Sequence, residues 1–452
     1  MPLIGAKMKT YGFGARDLPI LGEWDTVVVG GGTAGASAAI SAAREGNRVL
    51  VVEKAASLGG TPTHALVTPM MDSRVEHGSN LREIERRLND LGVTTREDAD
   101  LMGYIWFTPE TFAEALEQML YEVGGEALYD ATLVSADVED GAIEALEVMT
   151  VEGPRAILAR QFVDATGDAV LSRLAGVPCV SGDDEGNNQM SSLRFEMGGI
   201  DVDAYRDYCL SLGDEFSPLK QGYFWESAMV AGKGFKLEPL FQKAVAEGVL
   251  QQDDLIYYQC FSLPTEPGCM AFNCPHLPGL KSNASAMARS EALAEGRRRV
   301  RRLVTFLTRY MPGFEHAYLI REAGMLGVRE SWRIKGTYVL DVDDYVRRAR
   351  FNDAVAKGTW YIDVHSATKG LVHMEKYQPG EYYEIPYRCL TNGVVRNMLT
   401  VGRCISTSFL VQASVRIQQT AIDMGDSAGR ACARALVAGI DLSSFDGHGL
   451  AD

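Results

Sequence analysis

The sequence is poor in three features, and each shortage argues against a class of protein. No apolar run reaches the roughly 20 residues that a membrane-spanning helix requires. Lys and Arg number 44 against 60 Asp and Glu, giving a formal net charge of −16. That balance argues against a nucleic-acid partner or an anionic membrane, because both attract basic faces. Residues 1–22 lack the continuous apolar segment of a secretion signal, so we expect a cytoplasmic location.

Cysteine is sparse and scattered. Eight cysteines in 452 residues argue against a disulfide framework. Cys260, Cys269 and Cys274, with His276 close behind, form the one grouping that suggests a metal, but their gaps match no zinc motif. We therefore expect buried thiols there and no metal site.

What the sequence does contain is a glycine turn between two apolar runs. Residues 26–29 form the first run, residues 30–35 read Gly-Gly-Gly-Thr-Ala-Gly, and small residues lead to a second run that ends at Glu53. Strand, turn, helix, strand and acid in this order predict a dinucleotide-binding βαβ unit. In that unit Gly30 permits the tight turn, Gly32 admits a diphosphate, and Gly35 lets the helix pack closely.

Further positions around this unit are suited to a nucleotide. The helix that begins near Thr33 and Ala34 offers free N–H groups to phosphates, and Glu53 can accept hydrogen bonds from a ribose. The segment after Glu53 supplies backbone donors and hydroxyls without bulk, which suits an extended phosphate and polyol chain; it contains Lys54, Gly59, Gly60, Thr61 and His64.

A chain of 452 residues favours two domains. Helices are predicted over 79–91 and 111–123, and a β-meander over 131–163 with turns at Gly141 and Gly153. Residues 1–24 form an arm, and residues 329–340 have strand character. A long helix is predicted over 282–310, with the arginines near residue 299 on its wet side. We interpret 1–181 and 380–452 as one Rossmann-like α/β domain and 182–379 as an inserted α+β substrate domain.

The last part of the chain returns to nucleotide-binding patterns. Residues 397–403 predict a buried strand with a glycine turn, and residues 414–436 a helix rich in Ala, Gly and Ser. The positive N-terminal end of such a helix, with Arg416, would stabilise negative charge on a bound ring system.

By these motifs the chain resembles bacterial FAD-dependent oxidoreductases of the glutathione-reductase-like two-domain superfamily, on the side related to fumarate reductase flavoproteins. The likeness rests on the glycine unit, on Asp164-Ala165-Thr166-Gly167-Asp168, and on several segments between residues 327 and 430. It implies FAD as cofactor and an FAD-binding role for residues 1–181 and 380–452. The cofactor contacts that it implies are Gly30, Gly32, Gly35, Glu53, Val134 through its backbone, Ala165, Thr166, Gly167, Asp168, Gly402, Arg403, Ser414, Val415 and Arg416.

Three residues are candidates for the chemistry. His365 shares a strand face with Asp363, and a carboxylate can fix the tautomer of an imidazole and raise its basicity; a structural histidine is the alternative. Arg329 could clamp a carboxylate substrate or join an interdomain salt bridge. Tyr387 could donate to a substrate oxygen, although core packing is the commoner fate. His64 lies near where related flavoproteins attach flavin covalently.

We expect a hydride transfer between a small organic substrate and FAD, most simply a dehydrogenation. An alkene reductase of the fumarate-reductase type and an FAD-bearing subunit that acts only with a macromolecular partner are the alternatives, and a non-catalytic NAD sensor is a third. The electron acceptor and any homo-oligomeric state are left open.

Overall fold

The computed structural model describes residues 17–92, 105–213, 225–228, 234–263, 265–280, 282–366, 370–374 and 377–451. The first 16 residues of the predicted arm lie outside these ranges. The strands are β1 (Ile20–Val29), β2 (Val49–Val52), β3 (Pro69–Met70), β4 (Ile105–Trp106), β5 (Glu126–Leu128), β6 (Thr132–Glu139), β7 (Ala142–Thr150), β8 (Gly153–Asp164), β9 (Cys179–Ser181), β10 (Ser191–Ser192), β11 (Phe195–Gly198), β12 (Trp225–Ala228), β13 (Tyr258–Ser262), β14 (Met270–Phe272), β15 (His276–Leu277), β16 (Tyr318–Glu322), β17 (Trp332–Ile334), β18 (Ala354–Gly358), β19 (Asp363–Ser366), β20 (Gly370–His373), β21 (Tyr383–Pro386) and β22 (Met398–Thr400).

Helices cover both sheets. They are α1 (Thr33–Arg44), α2 (Thr61–His64), α3 (Ser79–Asp90), α4 (Pro109–Glu122), α5 (Val170–Leu174), α6 (Val202–Ser211), α7 (Glu238–Ala246), α8 (Ala286–Tyr310), α9 (Val342–Val346), α10 (Phe409–Val415) and α11 (Gln418–Ala438). Within the described ranges, none of them is both long and apolar enough to cross a bilayer.

The first sheet is Rossmann-like. Its parallel part has the order β5-β2-β1-β8-β22, and β6 and β7 continue it as an antiparallel meander on the first half of β8. The predicted α/β class and the meander are therefore confirmed. The arm is shorter than predicted, because β1 begins at Ile20 and pairs with β8 from there.

A second, antiparallel sheet has the order β12-β13-β14-β11-β16. Its core includes Phe195 and Phe272, whose rings stack at 4.5 Å, and the apolar side of α8. The predicted strand over 329–340 is wrong except at β17. Leu340, Tyr345 and Val355 share the core of α1 and α11, so this later part of the predicted insert packs with the first sheet's core. The bounds of the insert stay a prediction.

Candidate functional site

The glycine turn brings three segments into contact. Gly30 has a φ of +99°, and a Cβ there would lie 2.5 Å from the carbonyl oxygen of Ala165. A Cβ on Gly35 would lie 1.9 Å from Gly30 O. No side chain fits at either position, and the turn, α1 and the loop after β8 meet through backbone alone.

A second glycine pair lies against the start of α1. Gly59 pairs with Gly32, and a Cβ on Gly60 would approach Gly32 Cα to 2.8 Å. A Cβ on Gly32, by contrast, would meet nothing nearer than Gly60 Cα at 3.8 Å. Among the described residues no side chain caps α1, and its first turn holds no acid. The N–H groups that open the helix therefore remain available to an anion.

Glu53 is held beside this turn. Its carboxylate accepts the N–H of Gly31 at 2.6 Å and that of Ala55 at 2.8 Å. The N–H of Ala131 donates to Glu53 O at 3.1 Å, which brings the start of β6 to the same place. Val134 follows in β6 where the register with β7 shifts. The structure thus gathers the predicted ribose and adenine contacts at one end of the cleft.

Helices α1 and α11 run parallel. Ser37 Oγ donates to Ile422 O at 2.7 Å, and four residues later on both helices Ser41 Oγ donates to Asp426 Oδ1 at 2.5 Å. A Cβ on Gly425 would lie 2.1 Å from Ala34 O. Because the helices point the same way, their positive N-terminal ends lie at the same edge of the sheet.

The predicted single helix from Ser414 to Leu436 is wrong. The chain breaks at Arg416, between α10 and α11, where Arg416 Nη2 donates to Asp363 O at 3.1 Å. Ser414 lies in the last turn of the first helix, and its Oγ contacts Trp360 O at 2.5 Å and Tyr383 Oη at 2.7 Å. Val415 is buried. The helix start that can serve an anion is thus at Gln418, four residues later than predicted.

The loop after β8 is fixed by its own carboxylates. Asp164 accepts the N–H and the hydroxyl of Thr166, at 3.0 and 2.7 Å. Asp168 accepts from Arg289 at 2.7 and 2.8 Å and from Arg403 Nη2 at 2.7 Å. Burial alone would raise the pKa of Asp168, but Arg403 and Arg289 outweigh it and hold that pKa below its usual range.

The Arg403 guanidinium is hydrogen-bonded to other residues of the protein. Its Nε donates to Gly167 O at 2.8 Å, and its Nη1 donates to Val328 O. Gly402 precedes it with a φ of +78°, and a Cβ there would lie 3.2 Å from Ala34 Cβ. Gly402 and Arg403 therefore lie between α1 and the loop after β8, and the Arg403 guanidinium positions Asp168.

His365 lies in a buried polar cluster. Its Nε2 is 3.2 Å from Asp363 Oδ2, and its Nδ1 is 2.8 Å from His276 Nε2. The Tyr257 ring packs on the His276 ring, with centroids 4.2 Å apart. Burial and Arg329 lower the pKa of His365 to about 3, although Asp363 opposes them. Burial, Arg329 and His365 also hold the pKa of His276 well below its usual value.

Arginines surround this cluster. Arg329 donates to Met190 O at 3.0 Å and to Ser192 Oγ at 3.2 Å. Arg194 donates to Leu66 O at 2.9 Å and to Asn273 Oδ1 at 3.0 Å. Neither has a carboxylate within 4.0 Å among the described residues, whereas Arg416 lies 3.4 Å from Asp363. Burial and Arg416 lower the pKa of Arg329 to about 9, so it stays charged at neutral pH.

Three predicted residues are held by other contacts or are exposed. Tyr387 is buried, packs against Phe445 and donates to Leu442 O at 2.8 Å, as a core tyrosine does. The structure does not place it with His365. His64 ends α2, and its Nε2 lies 3.1 Å from Ser57 O. Lys54 is exposed beside Glu53.

A family model described as FAD dependent oxidoreductase matches residues 25–451. The chain belongs to this family. FAD is its cofactor, and the chain is an FAD-dependent oxidoreductase. The predicted resemblance to FAD-dependent oxidoreductases is thereby confirmed, whereas the place in the glutathione-reductase-like superfamily, near fumarate reductases, stays a prediction.

Curated relatives match only parts of the chain. The digeranylgeranylglycerophospholipid reductase of Methanoculleus marisnigri is 29% identical over 216 residues, which is 45% of this chain and 52% of that protein. The soluble pyridine nucleotide transhydrogenase of Chromohalobacter salexigens is 56% identical over 42 residues, which is 9% of each chain. The oxidoreductase thus spans about half the length, or less, of these relatives.

One solved structure covers most of the fold. A geranylgeranyl bacteriochlorophyll reductase-like protein from Thermoplasma acidophilum superposes with a TM-score of 0.50 at 14% identity, over 93% of this chain and 80% of that one. At this identity the likeness supports the fold alone.

The cleft of the oxidoreductase fits the cofactor of its family. The bare backbone around Gly32 and Gly60 and the uncapped start of α1 suit a diphosphate, and Glu53 suits a ribose. The uncapped start of α11, which holds no acid in its first turn, suits the electron-rich edge of a flavin. These residues would hold FAD, which supplies hydride transfer when bound.

Sequence reasoning missed half of the polar cluster of the oxidoreductase. His276 was grouped with cysteines, and nothing in the sequence links it to His365, 89 residues later. The sequence does carry a signal for Arg194. It lies in the alternating run 193–197, and a charged residue among the apolar residues of a strand is costly to bury unless a polar partner contacts it. Asn273 and Tyr257 carry no such signal.

Proposed function

We propose that this oxidoreductase is a dehydrogenase of a small organic acid. The observation that carries the proposal is the pair Arg194, which is buried, and Arg329, which is half-buried; neither has a carboxylate within 4.0 Å among the described residues. A buried, unpaired positive charge is costly, and an anionic ligand would offset that cost. The same cluster contains a base, as dehydrogenation requires.

Each side chain has a role in this proposal. Arg329 and Arg194 bind the substrate's carboxylate and orient it, since planar guanidinium groups match a carboxylate with two parallel hydrogen bonds. The histidine pair takes the proton that leaves when a C–OH or C–N bond is oxidised. FAD, when bound, takes the hydride.

Reduction of the bound flavin by candidate acids tests the proposal. FAD-loaded protein is mixed anaerobically with glycolate, lactate, malate, glycine or alanine, and loss of the yellow absorbance is followed. One or more of these acids should bleach the flavin, and the matching amide, such as lactamide, should fail. Bleaching by amides as readily as by acids, or by none of the probes, contradicts the proposal.

Alkene reduction, the fumarate-reductase type of reaction, is the second candidate. Buried arginines would suit an unsaturated acid equally well, and several relatives carry the name reductase. The lowered pKa of His365, about 3, leaves its ring neutral at neutral pH, without the extra proton that a proton donor to an alkene carbon would deliver, and so disfavours this direction. Chemically reduced protein mixed with fumarate or acrylate decides the point, because reoxidation without oxygen would favour the reductase.

The electron acceptor and the assembly belong to the same proposal. After each turnover a dehydrogenase must pass its electrons to an acceptor, which is oxygen, a small redox carrier or a partner protein. An FAD-bearing subunit would reduce its flavin with the substrate but turn over only with its partner. Turnover of the isolated chain with an artificial acceptor, measured beside its size in solution, separates these cases.

A further inference from the structure

The polar cluster contains two histidines, and the proposed reaction leaves open which of them takes the proton. Asp363, His365 and His276 form a chain of hydrogen bonds, with distances of 3.2 Å and 2.8 Å between successive side chains. The far end of that chain is His276 Nδ1. This nitrogen is buried and has no hydrogen-bond partner among the described residues. It is therefore the position at which the chain can meet a ligand.

The hydrogens in this chain follow from its first member. An ionised carboxylate only accepts, so His365 Nε2 carries the hydrogen that points to Asp363. A neutral imidazole has one N–H, so His365 Nδ1 accepts and His276 Nε2 donates. His276 Nδ1 is then left with a bare lone pair. Both rings are neutral, because burial and the charge of Arg329 lower the pKa of each.

His276 also lies next to the arginine that we assign to the substrate. In the antiparallel pair of β10 and β15, His276 stands directly opposite Ser192. Side chains that face each other in this way share one side of the sheet. Ser192 Oγ accepts from Arg329 at 3.2 Å, so the Arg329 guanidinium reaches the same side. A substrate held by Arg329 is within reach of His276.

We propose that His276 is the catalytic base and that His365 is a positioning residue that acts through it. The proposal rests on the dehydrogenase function. The substrate loses a hydride from carbon, which bound FAD accepts, and a proton from its oxygen or nitrogen, which His276 Nδ1 accepts. The C–H and O–H (or N–H) bonds break and a C=O (or C=N) bond forms. The positive charge passes along the chain as His276 Nε2–H moves to His365 and His365 Nε2–H moves to Asp363.

Nitrogen NMR of the FAD-loaded protein tests the tautomers without any substrate. The chain has seven histidines, and spectra of His276→Gln and His365→Gln assign the two that matter. At neutral pH we expect hydrogen on Nε2 and a bare Nδ1 in both rings. Hydrogen on His276 Nδ1, or a doubly protonated His276, would overturn the proposal.

Kinetics with an acid that bleaches the wild-type flavin test the role. In His276→Gln the amide lies near the former Nε2, so the contact to His365 is kept while the lone pair at Nδ1 is lost. We expect flavin reduction to slow by about 100-fold or more with FAD content and melting temperature unchanged. His365→Gln should slow it by about tenfold, and exposed His316→Gln should not change it.

The outcomes separate the two proposals. A wild-type rate in FAD-loaded His276→Gln would contradict the proposed role of His276 but not the proposed dehydrogenase function. Failure of every probe to reduce the wild-type flavin sinks the dehydrogenase function, while the NMR result still decides the tautomers.

Discussion

The carboxylate of Asp168 accepts hydrogen bonds from both terminal nitrogens of Arg289, at 2.7 and 2.8 Å. The carboxylate lies in the loop after β8, and the guanidinium lies on α8, which packs on the second sheet. Arg403 and Ser331 also donate to this carboxylate. One acidic side chain thus joins the cofactor half of the chain to the half that contains the arginines of the proposed substrate site.

Asp168→Asn should destabilise the protein by about 3 kcal/mol at pH 7, because it leaves the partly buried guanidinium charges of Arg289 and Arg403 without their carboxylate partner. The folded-state pKa of Asp168 is lowered. Its contribution is therefore complete above the unfolded pKa of about 3.9 and is lost as the pH falls below it. Urea unfolding between pH 3 and 7 measures both effects. The exposed Asp184→Asn is the control, and equal acid sensitivity in the two variants would contradict this account.

Gly425→Ala should weaken the contact between α1 and α11. Its Cβ would lie 2.1 Å from the Ala34 carbonyl oxygen, and backbone cannot give way as a side chain can. We expect a loss of about 1–3 kcal/mol and less bound FAD. Gly393→Ala meets nothing within 4 Å and serves as the matched control. Melting temperature and the ratio of flavin to protein absorbance are the measurements, and a stable, fully yellow Gly425→Ala would refute the prediction.

Glu53→Gln should lower the affinity for FAD by about tenfold or more. The new amide nitrogen would face the N–H of Gly31 or of Ala55, which now donate to the carboxylate, and the ribose would lose an acceptor. Titration of apoprotein with FAD measures the change. Exposed Glu152→Gln should bind like the wild type, and the same FAD affinity in both variants would remove Glu53 from the cofactor site.

Arg329→Gln should weaken binding of unreactive acids such as oxalate or malonate by at least about 2 kcal/mol, since the proposed charge pair between the acid and this half-buried guanidinium is lost. The shift of the flavin spectrum on titration reports binding without turnover. Exposed Arg298→Gln should leave it unchanged. Binding that is equally strong in Arg329→Gln would show that the acid binds elsewhere.

Heat or acid treatment should release FAD into the supernatant. His64 Nε2 lies 3.1 Å from Ser57 O and 3.3 Å from Ser57 Oγ, so the ring is already engaged by its own loop. A yellow pellet would instead indicate a covalent bond, and loss of that colour in His64→Ala would assign it.

The cofactor half was largely readable from the sequence because its signals are local. Gly30, Gly35 and Glu53 act within one βαβ unit, where spacing alone fixes geometry. The break at Arg416 was not readable, because a tertiary contact to Asp363 ends the first helix. The pairing of His276 with His365 could not be predicted either, because it too is a tertiary contact. It depends on two strands from separate sheets, and no periodicity records which distant strands meet.

Glycines and short serine and alanine side chains form the contact between α1 and α11, so the two helices have little room to shift against each other. Changes that adapt the proposed dehydrogenase to another acid would therefore fall in the other half, at positions beside Arg329 such as Ser192 and Asn273. A library restricted to those two positions should alter which acids are oxidised while every member stays yellow.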